Sequence, residues 1–89
     1  ILFDAQRRFE TYIIEIDPTG NLEAEPHPEG TQEVITVSQG SIKMQINQQV
    51  YLIEQGDTLR FLADVPHSYA NITDELCCLN MIIYYPANQ

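Results

Sequence analysis

Basic residues and tryptophan are what this chain has least of. Its 89 residues contain no tryptophan and only four lysines and arginines, against thirteen aspartates and glutamates, so the formal net charge is −9. A surface this negative repels phosphate backbones and anionic lipids. We therefore expect the chain by itself to bind neither nucleic acid nor a membrane surface.

Long apolar runs are also missing. No stretch approaches the roughly 18 apolar residues that a transmembrane helix needs, and the first ten residues lack the pattern of a signal peptide. The two cysteines, Cys77 and Cys78, are adjacent. Neighbours on a strand point to opposite faces, so a disulfide between them would be strained. We interpret them as small apolar residues in a reduced, cytoplasmic protein, with a redox or metal role as the alternative.

Short segments of alternating apolar and polar residues run through the chain, and turn residues separate them. The alternation is clearest in Ser41–Ile46, where Ile42, Met44 and Ile46 share one face. No segment has a helical period. The pattern predicts an all-β domain of eight to nine short antiparallel strands, closed as a sandwich or barrel because open edges favour aggregation. We expect Ile42, Met44, Ile46, Leu59 and Phe61 to be buried.

The two histidines lie near strands that also carry other polar residues. Glu33 shares a face with Ile35 and Val37 on one predicted strand, and His67 shares a face with Tyr69 and Asn71 on another. His27 lies in a loop just before the first of these strands. If these strands face each other, His27, Glu33 and His67 converge inside the barrel. Two imidazoles and a carboxylate suit a divalent metal ion, and polar groups converging in an apolar pocket suit a small molecule.

These residues resemble the two motifs of the cupin family, which is a jelly-roll β-barrel. In the first motif, His27 and Glu33 fit a histidine and the glutamate, Gly40 fits the closing glycine, and Glu29 stands where a second histidine is expected. In the second motif, Gly56, His67 and Asn71 fit the glycine, histidine and asparagine. The resemblance implies a metal site at His27, Glu33 and His67. With Glu29 replacing a ligand, we expect the purified domain to bind metal weakly or not at all.

The amino-acid sequence of three longer segments is similar to one branch of the family, the C-terminal cupin domains of bacterial XRE-type helix-turn-helix regulators. These segments are Pro26–Ile42, Tyr51–Phe61 and Ala63–Asn71. The resemblance implies a domain that senses a small polar metabolite, supports a homodimer, and leaves DNA binding to an N-terminal domain missing from this sequence, which starts at Ile1. Residues 1–8 would then be a linker, and residues 9–89 the cupin domain. The ligand-binding residues would be His27, Glu33, His67, Tyr69 and Asn71. The alternative functions are a small metal-dependent isomerase or oxygenase and a pure assembly or storage domain.

Overall fold

The computed structural model describes residues 8–86, which form eight antiparallel strands. In chain order these are β1 (Arg8–Ile16), β2 (Asn21–Ala24), β3 (Gln32–Gln39), β4 (Ser41–Ile46), β5 (Gln49–Glu54), β6 (Thr58–Leu62), β7 (His67–Ala70) and β8 (Cys77–Tyr85). The prediction of an all-β jelly roll is confirmed, with eight strands. From Arg8 to Pro86 the chain forms no helix long and apolar enough to cross a membrane.

The strands form two sheets of four that pack against each other. One sheet has the order β1-β8-β3-β6, and the other has the order β2-β7-β4-β5. Only β4 and β5 are consecutive neighbours within one sheet, so every other connection carries the chain from one sheet to the other. This crossing is what lets side chains from distant parts of the sequence meet between the sheets.

The sequence predicts a linker over residues 1–8 and a domain over residues 9–89. Arg8, which we expected to end the linker, is the first residue of β1. The rest of that predicted linker, residues 1–7, and the last three residues of the predicted domain, 87–89, lie outside the described residues.

The core lies between the two sheets and follows the alternation of the strands. Ile42 and Met44 are fully buried, as we expected. Ile46, Leu59 and Phe61 are only partly buried, and they pack against the buried cluster from its margin. β8, which is apolar on both faces in the sequence, is an inner strand paired with β1 on one side and β3 on the other.

The passage from β3 into β4 depends on Gly40. Its φ of +78° lies in the left-handed region, and a Cβ at this position would come within 2.8 Å of the Leu76 carbonyl oxygen. A side chain would therefore be strained by both the backbone and its neighbour. The register of β3 against β8 also shifts between Val37 and Gln39, next to this turn. The bulge and the glycine together move the chain from one sheet to the other.

Candidate functional site

The candidate site lies between the two sheets, at the end of the barrel where His27 reaches solvent. Glu33 projects inward from β3, between Phe61 of β6 and Ile83 of β8 in the register. His67 and Tyr69 project inward from β7 in the facing sheet. The period-two alternation of β3 and β7 therefore places the carboxylate opposite the imidazole and the phenol.

His27 reaches the site from the loop between β2 and β3. Its backbone N–H donates to the carbonyl oxygen of Ala63 at 3.0 Å, and the N–H of Ala63 donates in turn to the carbonyl oxygen of Thr31 at 2.8 Å. These bonds tie the loop to the segment that follows β6. The imidazole of His27 is thus positioned by backbone hydrogen bonds, although it is not on a strand.

The carboxylate of Glu33 is the centre of the site. Its Oε2 lies 3.1 Å from Nε2 of His27 and 3.2 Å from Nε2 of His67, while its Oε1 accepts the hydroxyl of Tyr69. The side chains of Glu33 and His67 are 1% and 0% exposed, whereas that of His27 is 26% exposed. A ligand would therefore reach the buried pair from the side of His27.

A backbone carbonyl fixes the tautomer of His67. Its Nδ1 lies 2.8 Å from the carbonyl oxygen of Val65, which can only accept, so Nδ1 carries the hydrogen. In neutral His67 the lone pair of Nε2 would then face Oε2 of Glu33. Either a proton on Nε2 or a cation between the two atoms removes this repulsion.

The ionisation of the buried pair reflects this arrangement. Burial by itself raises the pKa of Glu33, but the hydrogen bonds from His67 and Tyr69 and the nearby imidazole charge outweigh it, so the pKa is lowered overall. Burial by itself lowers the pKa of His67, but its bonds to Glu33 and Val65 outweigh it, so the pKa is raised overall. Burial and the Glu33 carboxylate both raise the pKa of Tyr69. Glu33 and His67 are thus stabilised as an ion pair.

The three donors also fit a divalent metal ion. Their ligand atoms all lie within 4.8 Å of one another. Metal–ligand bonds of about 2.0–2.2 Å at tetrahedral or octahedral angles separate adjacent ligand atoms by roughly 3.0–3.5 Å. The distances from Oε2 of Glu33 to the Nε2 atoms of His27 and His67, 3.1 Å and 3.2 Å, are close to this separation. The fixed Nδ1–H of His67 directs Nε2 toward the same point. His27, Glu33 and His67 could hold such an ion as three protein ligands with further positions open.

The other residues named from the sequence have different positions. Tyr69 is buried against Glu33, so it orients the carboxylate and is not open to a ligand. Asn71 does not join the group. Its amide donates to the carbonyl oxygens of Ile16 and Glu75 and accepts from Thr73, so it holds the β7–β8 connection. Glu29 is exposed in its loop and is not part of the three-residue group.

Two aromatic residues that we did not assign to the site form part of its wall. Phe61, which we expected only in the core, packs edge-on against His67 with a ring-centroid distance of 5.3 Å. Tyr85 packs edge-on against His27 at 6.2 Å. Because Glu33, Phe61 and Tyr85 all face inward, the period of β6 and β8 could have placed both rings near Glu33 once the register of these strands was known.

The sequence and the fold are both similar to those of known proteins. The sequence profile described as a cupin domain matches residues 12–84. The HTH-type transcriptional regulator SutR of Escherichia coli (strain K12) is 29% identical over 84 residues, which cover 94% of this chain and 47% of the regulator. The chain therefore spans about half the length of this curated relative.

Several solved structures are similar over most of the chain, among them two from transcriptional regulators. The cupin domain of an XRE family transcriptional regulator from Enterobacter cloacae has a TM-score of 0.85 and 28% identity, with 88% of this chain and 82% of that chain covered. A helix-turn-helix family transcriptional regulator from Vibrio cholerae has a TM-score of 0.82 and 32% identity, with 88% of this chain and 43% of that chain covered.

Proposed function

The chain belongs to the cupin domain family, and from that premise we propose that it is the ligand-sensing domain of a bacterial helix-turn-helix transcriptional regulator. The observation that carries the proposal is the buried Glu33 carboxylate, which lies within hydrogen-bond distance of two imidazoles, one of them the partly exposed His27. The similarity to the regulators from Escherichia coli, Enterobacter cloacae and Vibrio cholerae supports the proposal that the domain is part of a transcriptional regulator.

The ligand in this proposal is a small polar molecule. It would contact His27 first and reach Oε2 of Glu33 by displacing an imidazole or by binding a metal ion held among the three residues. Phe61 and Tyr85 would form the apolar sides of the binding site. A divalent ion held by His27, Glu33 and His67 would supply a Lewis-acidic centre for oxygen or nitrogen atoms of the ligand.

The proposal has consequences for the whole protein. DNA would be bound by a separate helix-turn-helix domain, because this chain has four basic residues against thirteen acidic ones. The protein would be cytoplasmic and would act as a homodimer, as bacterial regulators that bind symmetric operators do. The barrel would be the part of the protein that binds the small-molecule ligand.

A thermal-shift screen tests the ligand-binding role. A molecule that binds only the folded state stabilises it by about 2.7 kcal/mol at a hundredfold excess over Kd. We expect a stabilising compound among amino acids, polyamines, thiols and small organic acids, and we expect the Glu33→Gln and His67→Gln variants to lose its effect. The Glu15→Gln variant is the matched control, since Glu15 is exposed on β1. Equal shifts in all four proteins would place the ligand elsewhere.

A metal-dependent isomerase or oxygenase is the second candidate, and the three-ligand arrangement with open positions favours it. The two functions differ in the fate of the ligand. We expect a sensor to return its ligand unchanged after long incubation with the metal-supplemented protein, as measured by mass spectrometry. Conversion of the ligand, lost in Glu33→Gln, would favour the enzyme.

A further inference from the structure

A second pocket, outside the barrel, differs in charge from the rest of the domain. It has a volume of about 420 Å³, and its lining includes Gln32, Val34, Arg60, Tyr84 and Pro86. Among the described residues that line it, Arg60 is the only charged one. The chain as a whole carries −9. We name this feature the Arg60 pocket.

A pocket on the other sheet shows the contrast. It has a similar volume of about 380 Å³, but Glu23 and Glu25 contribute to its lining, and no lysine or arginine from the described part of the chain does. On so acidic a domain, a pocket lined by carboxylates is expected. The Arg60 pocket is the reverse, because its charge is positive and its other walls are neutral.

The guanidinium of Arg60 is held in place and still has donors to offer. Its Nε donates to Oε1 of Gln32 at 3.1 Å. This bond occupies one N–H and leaves the two Nη groups. Within residues 8–86, the ion pairs closer than 4.0 Å involve only the two histidines and Glu33, so no described carboxylate neutralises Arg60.

The aromatic wall is also held in place. Tyr84 lies opposite Phe9 in the register of β1 and β8, and their rings pack at a centroid distance of 5.9 Å. Tyr84 as a whole residue nevertheless remains 38% exposed. Groups that are oriented before binding lose less conformational entropy when a ligand arrives.

From these observations we propose that the Arg60 pocket binds a small monocarboxylate with a flat, apolar body. The two free Nη groups suit the two oxygens of a carboxylate, and charge-assisted bonds of this kind are the stronger hydrogen bonds in proteins. Tyr84, Val34 and Pro86 offer apolar contact to the body of the ligand. One unpaired cation balances a single negative charge, whereas the field of the surrounding acidic surface opposes a dianion such as a phosphate monoester more strongly.

The site is distinct from the one built on Glu33. Gln32 and Val34 lie on the opposite face of β3 from Glu33, and Arg60 lies on the opposite face of β6 from Phe61. Tyr85 is shared, since it contributes to the Arg60 pocket and its ring also packs against His27. The proposal therefore does not depend on what the histidines hold, and its test can fail while the sensor proposal stands.

Titration of the ¹⁵N-labelled chain by NMR tests the proposal with benzoate, neutral benzamide and phenyl phosphate as probes. We expect saturable benzoate shifts at the amides of Gln32, Arg60 and Tyr84. Benzamide should bind at least about tenfold more weakly, which corresponds to about 1.4 kcal/mol, and phenyl phosphate should bind no more tightly than benzoate.

Two exposed substitutions provide the variant and its control. Arg60→Gln should weaken benzoate binding about tenfold, while Lys43→Gln, which removes a cation from the outer face of the other sheet, should leave it unchanged. Equal affinity for benzamide, tighter binding of phenyl phosphate, shifts centred on His27 and His67, or no saturable shift at the solubility limit of benzoate would each overturn the assignment.

Discussion

Tyr69 donates its hydroxyl hydrogen to Oε1 of Glu33, and this bond leaves only Oε2 facing the two imidazoles. The phenol comes from β7 and the carboxylate from β3, so the bond crosses between the two sheets. It sets the direction of the carboxylate and provides Oε1 with a hydrogen-bond donor. Under the proposed function, Tyr69 would influence a ligand or a metal ion only through Glu33.

We expect the Tyr69→Phe variant to be less stable than the natural chain by about 1–3 kcal/mol, because a buried carboxylate oxygen loses its donor. Urea denaturation followed by circular dichroism measures the difference. Tyr51→Phe is the control, since the Tyr51 hydroxyl donates to Gln49 on an exposed strand. A stability loss in Tyr51→Phe equal to that in Tyr69→Phe would show that the effect does not come from Glu33.

The stability of the domain should depend on pH on both sides of a plateau. The pKa of Glu33 is lowered from its ordinary value of 4.5, so its contribution is present above that pH and is lost as the pH falls through the lowered pKa. The pKa of His67 is raised from 6.5, so its contribution is present below that pH and is lost as the pH rises through the raised pKa.

Melting temperatures between pH 3 and pH 9, a range that spans both ordinary pKa values, should therefore be highest between these two values. In Glu33→Gln the decline on the alkaline side should become shallower, because His67 loses the partner that raises its pKa. A variant whose alkaline profile matched that of the natural chain would show that the ion pair does not contribute.

Asn71 should matter for folding and not for binding. Its amide makes hydrogen bonds to Ile16, Thr73 and Glu75 while being 1% exposed. We expect Asn71→Ala to lower the free energy of unfolding by about 1–3 kcal/mol, because the carbonyl oxygens of Ile16 and Glu75 lose the donor that the buried amide of Asn71 provides. The thermal shift given by a ligand of the Glu33 site should persist in this variant. If the variant folded but lost that shift, Asn71 would be a ligand-binding residue.

Much of the fold could be predicted because most strands here alternate cleanly. Ser41–Ile46 was predicted with its observed bounds, and the apolar character of β8 on both faces agrees with its inner position in the sheet. The convergence of Glu33 with the two histidines was expected from alternation together with the resemblance to cupins, and the structure brings these three residues together. The family match confirms the resemblance. Local alternation was sufficient for the strand, whereas the convergence also required the family resemblance.

Other features depend on contacts that no local pattern contains. Asn71 shares a face with His67 and Tyr69, but the chain turns just after it. Its side-chain amide therefore donates to the carbonyl oxygens of Ile16 and Glu75. The Arg60 pocket requires β3, β6 and β8 to be neighbours on one outer face, which follows from the strand order. Alternation gives the face on which a residue lies, but it does not give the partner across the sheet.

The chain alone should not hold DNA. Each phosphate that a protein neutralises requires a lysine or arginine, and the described basic residues, Arg8, Lys43 and Arg60, lie on three different strands. We expect no shifted band in a gel-shift assay with genomic DNA fragments at low salt, where screening is weakest. A salt-sensitive complex formed by this chain alone would contradict the proposed division of roles.

Metal binding at the Glu33 site should be weak and should strengthen with rising pH. Three protein ligands are present, and the position where a fourth was expected holds Glu29, which is exposed and outside the group. A metal ion must also displace the proton from Nε2 of His67, whose pKa is raised. Titration with Zn²⁺ or Mn²⁺ by calorimetry should therefore give one site whose affinity increases as the pH rises above 6.5.

Two variants separate this site from adventitious binding. Glu33→Gln should abolish the metal-induced rise in melting temperature, because the amide is a much poorer ligand than the carboxylate it replaces. Glu29→Gln should leave the rise unchanged. If Glu29→Gln weakened metal binding as much as Glu33→Gln, the loop would have to move and bring Glu29 to the metal as a fourth ligand. Stoichiometric metal retained through purification would likewise show that three ligands suffice for tight binding, contrary to our expectation.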